Sequence, residues 1–347
     1  MRCRNKANSM RVVLRFTVGL ILGLFVLGIG NIQYVEGSSW HKGRFHKAES
    51  LTCGETITTH AVLYNDLDCS NFGGVALTLG DGADLNLHGK KIIGNESDNC
   101  IEITGDGAKV WNGTVMKCFY GIEVTGNRNE ITQVEVRDNK RIGINIAGNS
   151  NKIYSSIVDN NGREGIVIDG GKGNEISRSI VDNNGRQGIH IDGGTSNKIS
   201  RTVVDNNGRH GIQIDGGNSN EISRSTVRGS CRDGIEIKGN DNLVSYNQVE
   251  DNGNPETCTN FDENYNPSGY AGIDVTDDSQ ENEIKHNRAG CNLGCISTDD
   301  TGCVGRERDL WDENVDENGQ FDSTNQWENN SITCSSVKPE ASGSPPQ

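Results

Sequence analysis

Aromatic residues make up only 5% of this 347-residue sequence, and hydrophobic residues only 32%. A layered α/β enzyme would need more apolar side chains to fill its core. A solenoid needs fewer, because its core is a thin column filled by a few side chains per coil. Positive charge is also scarce: 33 Lys and Arg stand against 48 Asp and Glu, leaving a net charge of −15. That balance argues against nucleic acid held by a general basic field, although a local basic stripe or a bound cation could still receive an anionic substrate. No CxxC pair occurs, which argues against zinc. Neither a Gly-x-Ser-x-Gly nor a phosphate-binding loop is present, and no stretch of the repeated region carries a 3.6-residue apolar period.

What the chain has in quantity is glycine, 45 residues, much of it recurring in register. Gly-Ile-x-Ile/Val begins at Gly121, Gly143, Gly165, Gly188, Gly211, Gly234 and Gly272, the first six being 22 or 23 residues apart. Asn129, Asn151, Asn174, Asn197, Asn220 and Asn242 keep the same phase, as do Asn139, Asn161, Asn184 and Asn207. Such a unit is too short for two packed helices. Its β-branched alternations, broken by Gly-Gly and Asn-Asn-Gly, fit three short strands and three turns. Stacked units pair each strand with its equivalent one coil on, ~4.8 Å away. The inward Ile and Val then form a dry column, and Asn rows bond along the turns. Glu130, Lys152, Glu175, Lys198 and Glu221 alternate in sign at one position of the unit, which is the favourable arrangement for stacked neighbours. The expected fold class is all-β, a single-stranded right-handed parallel β-helix.

The flanks differ. Arg2, Arg4, Lys6, Arg11 and Arg15 precede an apolar stretch from Phe16 to Ile29, and Val35 and Gly37 suit cleavage before Ser38. Residues 1–37 therefore read as a secretory signal, with no stable membrane insertion after its removal; the alternative is an anchor through residues 16–32. Residues 38–52 form a linker, 53–334 the β-helix domain and 335–347 a Pro/Ser/Gly tail expected to be disordered. Within the domain, 254–270 reads as an extruded loop and 291–334 as a C-terminal cap. Beyond Cys3, ten cysteines cluster towards the two ends, an even number that suggests disulfides at both caps, with Cys53–Cys69 closing the first. Asn95, Asn112 and Asn329 open sequons that could carry glycans.

The Gly-Ile-x-Ile strands, the Asn-rich turns and the period, together with Cys53-Gly54-Glu55-Thr56-Ile57 and Leu85-Asn86-Leu87-His88-Gly89-Lys90, resemble the pectin lyase-like superfamily. The likeness is closest to the parallel β-helix repeats of extracellular carbohydrate-processing proteins, and it covers roughly residues 51–334. It implies a secreted protein directed at an acidic polysaccharide or other glycan, as a polyuronate lyase of the pectate-lyase type or a C5-epimerase. The fold also hosts hydrolases and non-catalytic binders, so the alternative is a carbohydrate-binding or surface-structural solenoid.

Chemistry can sit on the outward positions of the Gly-Ile-x-Ile strand. One outer row reads Glu123, Asn145, Val167, His190, Gln213, Glu236, Asp274; the next reads Thr125, Ala147, Asp169, Asp192, Asp215, Lys238, Thr276. Three stacked carboxylates followed by a lysine suit a Ca²⁺ ion held by Asp169, Asp192 and Asp215. The resemblance implies Lys238 as the base, with His190 and Glu236 beside it. The competing reading is that each Asp opens the Gly-Gly turn through an Asx hydrogen bond. His190 and His210 also read as solvent-exposed variants of the repeat. Arg141, Arg163, Arg186, Arg209 and Arg232 form a cationic row suited to binding a polyuronate. Against that stands local pairing with Asp159, Asp182 and Asp205. In the C-terminal cap, Asn314, Asp316, Asn318 and Asp322 have the alternating oxygens of a calcium loop, with Asn in place of Asp and Glu at its ends; the alternative is a solvated loop.

Overall fold

The computed structural model describes residues 51–253, 271–276, 279–290, 292–299, 302–307, 310–312 and 324–332, with backbone alone for 293–299, 302–307, 311 and 312. They form an all-β parallel solenoid. Most coils contribute one short strand to each of three sheets, and in two of them a single eight-residue strand, Lys109–Met116 or Glu130–Arg137, runs through the second and third. The first sheet has eleven parallel strands, from Glu55–Ile57 to Leu310–Asp312, and includes every Gly-Ile-x-Ile segment. The second runs from His60–Val62 to Gln326–Glu328, and the third from Leu67–Asp68 to Ser331–Ile332. An antiparallel hairpin, Leu293–Asp299 with Gly302–Glu307, departs from the solenoid.

Register follows the repeat as the sequence predicts. Ile144, Ile166, Ile189, Ile212 and Ile235 stack one above another, wholly buried. Glu130, Lys152, Glu175, Lys198 and Glu221 are cross-strand neighbours, with Lys198 Nζ 2.8 Å from Glu221 Oε2. Each buried Asn of the first ladder accepts, through its side-chain oxygen, the backbone N–H of the Asn one coil before, at 2.8–2.9 Å from Asn129 to Asn242. Asn139, Asn161, Asn184 and Asn207 do the same at 3.1–3.2 Å. These bonds satisfy corner amides that no strand can reach. In a third row the hydroxyls of Ser156, Ser179 and Ser225 carry the same task, accepting the N–H of Val134, Ser156 and Thr202.

The N-terminal coils carry two disulfides, Cys53–Cys69 as expected and Cys100–Cys118. Cys231 is disulfide-bonded as well. Residues 254–270, 1–37 and 314–322, read from the sequence as an extruded loop, a secretory signal and a calcium loop, lie outside the described residues. Among the described residues, no helix is long and apolar enough to cross a membrane.

Local pairing of the arginine row with the preceding aspartates does not occur. Asp159, Asp182 and Asp205 point from the third sheet, stacked in register between Arg137 and Arg228. Asp205 is paired by the Arg228 guanidinium, at 3.0 and 2.8 Å, and not by the arginine four residues on. The reason is the corner: Asn160, Asn183 and Asn206 adopt left-handed backbone, which turns the aspartates and the later arginines onto different faces.

Burial, reinforced by the neighbouring Asp205 carboxylate, pushes Asp182 up to about 6. A carboxyl raised in the folded state binds its proton more tightly there than in the unfolded chain. Its contribution is therefore fully present at acid pH and is lost as pH rises from about 4 to about 6. Asp182→Asn is accordingly expected to stabilise the fold above pH ~6 by about 1 kcal/mol, solvent screening at this half-buried position limiting the gain. The gain should fade towards pH ~4. Thermal melts of both proteins at the two pH values check this.

Candidate functional site

The first sheet presents its x residues outward, and the residue before each repeat glycine comes up beside them. Backbone hydrogen bonds stack this second row as Glu164, Gln187, His210 and Asp233: Gly165 N–H donates to the Gln187 carbonyl, Gly188 to His210 and Gly211 to Asp233. All four are buried. On one side lie Val167, His190, Gln213 and Glu236. On the other lies the arginine row, each N–H bonding to the carbonyl of the arginine one coil before, from Arg163 N→Arg141 O at 2.9 Å to Arg232 N→Arg209 O at 3.1 Å.

Within this groove His210, Asp233 and Glu236 converge. His210 Nδ1 lies 3.1 Å from Asp233 Oδ2, off the axis of a straight hydrogen bond, and His210 Nε2 lies 3.9 Å from Glu236 Oε2. Asp233 Oδ1 accepts the N–H of Ala271, the residue directly after the 254–270 segment. Gln213 donates to Glu236 and accepts from Gln187. The ligand atoms of His210, Asp233 and Glu236 lie within 4.8 Å of one another, a set able to hold a divalent cation. Asp233, however, already has one oxygen on Ala271 and the other against His210, so it orients the imidazole more readily than it binds a metal. His190 Nε2 and Gln187 Oε1 are buried with no hydrogen-bond partner. Unpartnered buried polar atoms cost about 1–3 kcal/mol each, so their concentration on one face needs an explanation beyond stability.

The reading of His210 as a solvent-exposed variant of the repeat is corrected: its side chain is 5% exposed, because the arginine row and the x row flank it. His190 is half-buried on the same face, and Glu236 joins His210. Lys238 stays outside this cluster; its side chain is 63% exposed and its Nζ is 3.3 Å from Asp215 Oδ1. Asp169, Asp192, Asp215 and Lys238 do stack in register. None of the three carboxylates has an Asx hydrogen bond to the Gly-Gly turn, so that account of the row fails. The five arginines are half-buried. Arg141 lies over the Phe119 ring at 5.1 Å, and Arg186 Nη1 is 3.4 Å from Glu164 Oε1. Asn314, Asp316, Asn318 and Asp322 lie outside the described residues. The sequence reading missed Asp233, Glu164 and Gln187. A signal existed: in a nearly constant unit, the position before the glycine changes residue type at every coil.

Residues 120–289 match the family described as the right handed beta helix region. The match falls on the central coils of the parallel solenoid. No curated protein matches its sequence. Among solved structures it is similar to the Dettilon tailspike protein, with 16% identity, a TM-score of 0.58 and coverage of 67% of this chain. It spans 53% of that tailspike's length. The periplasmic alginate epimerase AlgG is 14% identical, with a TM-score of 0.56 over 80% of this chain and 73% of the epimerase. At such identities the likeness is one of fold.

Proposed function

We propose that the first-sheet groove of this β-helix is an acid–base site acting on an acidic polysaccharide in the extracytoplasmic space. The observation that carries the reading is the buried His210–Asp233–Glu236 cluster beside the arginine row, with the unpartnered His190 and Gln187 atoms next to it. The alginate epimerase shares the fold, which supports a uronate polymer as the partner.

The chain of steps follows from this geometry. The arginines neutralise uronate carboxylates along the groove. His210 Nε2 takes the proton from C5, and the electron pair moves into the adjacent carboxylate, whose charge the arginines offset. Asp233 holds the ring and offsets the charge on the imidazolium. Departure of the C4 oxygen, protonated by the His210 imidazolium as it leaves, gives an unsaturated lyase product and neutral His210; protonation of C5 by water from the opposite face gives the epimer, His210 returning its proton to the solvent. Glu236 Oε2 borders the site, 3.9 Å from His210 Nε2, where Gln213 holds it. Unsaturated-uronate absorbance on pectate and alginate, run with calcium and with chelator, tests the reading. Absence of both lyase and epimerase products on every acidic glycan that the chain binds would leave a binding solenoid, a reading that the near-identical middle coils favour.

A calcium ion, if one serves the reaction, belongs to the exposed Asp169–Asp192–Asp215 row. That row is expected to bind Ca²⁺ in the range of about 10⁻⁴–10⁻³ M, since its carboxylates are exposed and Lys238 already meets one of them. Calorimetry should show weaker binding for Asp192→Asn; equal affinity would remove the ion from this row.

A further inference from the structure

The second sheet carries a groove of its own. Its floor is a row of small hydroxyls, Ser177, Ser200, Ser223 and Ser245, stacked in register. Tyr154 stands in the same row at one end and Lys285 at the other. One wall is the alternating Glu175, Lys198 and Glu221, whose charges offset one another. The other wall is Arg178, Arg201 and Arg224, none with a carboxylate within 4.0 Å among the described residues. A cavity of about 370 Å³ opens between the walls, from Tyr154 to Arg201.

The arginine wall stands where backbone geometry disfavours it. Arg178, Arg201 and Arg224 have φ of 52°, 51° and 51°. An L-residue other than Asn, Asp or Gly is uncommon in that conformation. At the next left-handed corner of the same coils the chain uses Asn160, Asn183 and Asn206. The equivalent corner of neighbouring coils carries Gln133, Ser155, Tyr246 and His286 with the same backbone, so the position accepts varied side chains, and three coils running present arginine there. Aromatic rings mark both ends of the wall. Arg178 Nη1 donates to Tyr154 Oη at 2.9 Å, and its guanidinium lies 5.5 Å from that ring. Arg224 lies 5.9 Å from the Tyr246 ring, which stacks on His286 at 4.7 Å and 12°. Tyr154 and Tyr246 are 38% and 54% exposed.

We infer that this groove is a second binding site, separate from the first-sheet cluster, for an anionic polysaccharide lying along the solenoid axis. The arginines bind its carboxylate or sulfate groups, the serine floor meets its hydroxyls, and the tyrosine faces receive sugar rings at the ends. The four coils from Tyr154 to Tyr246 set a span of roughly 19 Å at the inter-strand spacing. Unlike the first-sheet groove it has no buried histidine or carboxylate, so it binds without turning over its ligand.

The test is calorimetry of the full chain against an oligogalacturonate, a sulfated glucan of matched length and an unsubstituted oligoglucoside. In an Arg186→Ala/Arg209→Ala background, which weakens the first-sheet site, binding of an anionic probe is expected to persist. Adding Arg178→Ala and Arg201→Ala should weaken that residual binding by about tenfold or more and flatten its salt dependence. Tyr154→Ala should weaken it by about threefold, with thermal unfolding unchanged. Preference for the galacturonate assigns carboxylate recognition, and preference for the glucan sulfate assigns sulfate. No residual binding, no change on removing Arg178 and Arg201, or equal affinity for the neutral probe overturns the inference. Because the readout is binding, failure of the acid–base reading would leave it standing.

Discussion

His210→Gln is expected to keep the fold and the affinity for uronate oligomers while lowering turnover by about 10²–10⁴-fold, the usual contribution of a positioned general base. Glutamine fills similar volume and can still donate towards Asp233, so the buried carboxylate is not stranded. The variant cannot accept the C5 proton. Lys238→Ala should cost far less, because Lys238 is exposed and faces Asp215 rather than the cluster. Assays of the two variants against one uronate substrate, with thermal melts as the control for folding, separate the two candidate bases. A large loss in Lys238→Ala with little change in His210→Gln would move the chemistry to the exposed Asp–Lys row. Asp233→Asn is a variant of a positioning residue. It should shift the pH profile of turnover while leaving the substrate affinity in place.

Gly188→Ala is expected to be strongly damaging. A Cβ there would lie 2.5 Å from Val204 Cγ1, 2.6 Å from Asn207 Nδ2 and 2.7 Å from the Gly211 carbonyl. It would press at once on the core column, on an Asn ladder and on the next glycine. None of these can move without breaking register with its own neighbours along the stack. Overpacking of this kind costs about 3 kcal/mol, which in a solenoid falls on the interface between two coils. A large fall in melting temperature, or failure to accumulate folded protein, is the expected result. Gly170, in a turn with nothing near its Cβ position, makes the comparison: its φ of 69° strains an alanine, but no neighbour is displaced. Equal melting temperatures for wild type and Gly188→Ala would contradict the close approach.

The coil was legible because stacking forces equivalent positions to repeat. Ile144, Ile166 and Ile189 must occupy the same row, and Asn151, Asn174 and Asn197 must satisfy the same kind of corner amide. Hydroxyls were harder to read: Ser156, Ser179 and Ser225 do the work of Asn in the third ladder, and a serine in a polar turn carries no such signal. The outward arginine and carboxylate rows could be numbered from the phase alone. What phase could not give was depth. His210 sits in a turn by sequence, yet it is buried because long side chains on both sides close over it. Nor can phase say which face a charge takes at a corner: spacing alone sets Asp205 beside Arg209, whereas the left-handed corner places it beside Arg228.

Deuterium exchange at C5 tests the central claim most directly. A uronate oligomer incubated with the chain in D₂O should gain deuterium at C5 of epimerised residues if the intermediate is reprotonated, or yield unsaturated ends if the C4 oxygen departs first. His210→Gln should suppress whichever product forms without loss of binding. If the oligomer binds the first-sheet arginines, as loss of affinity in Arg186→Ala/Arg209→Ala would report, and yet neither deuterium nor unsaturation accumulates on any acidic glycan, the groove performs no proton chemistry and the acid–base account is wrong.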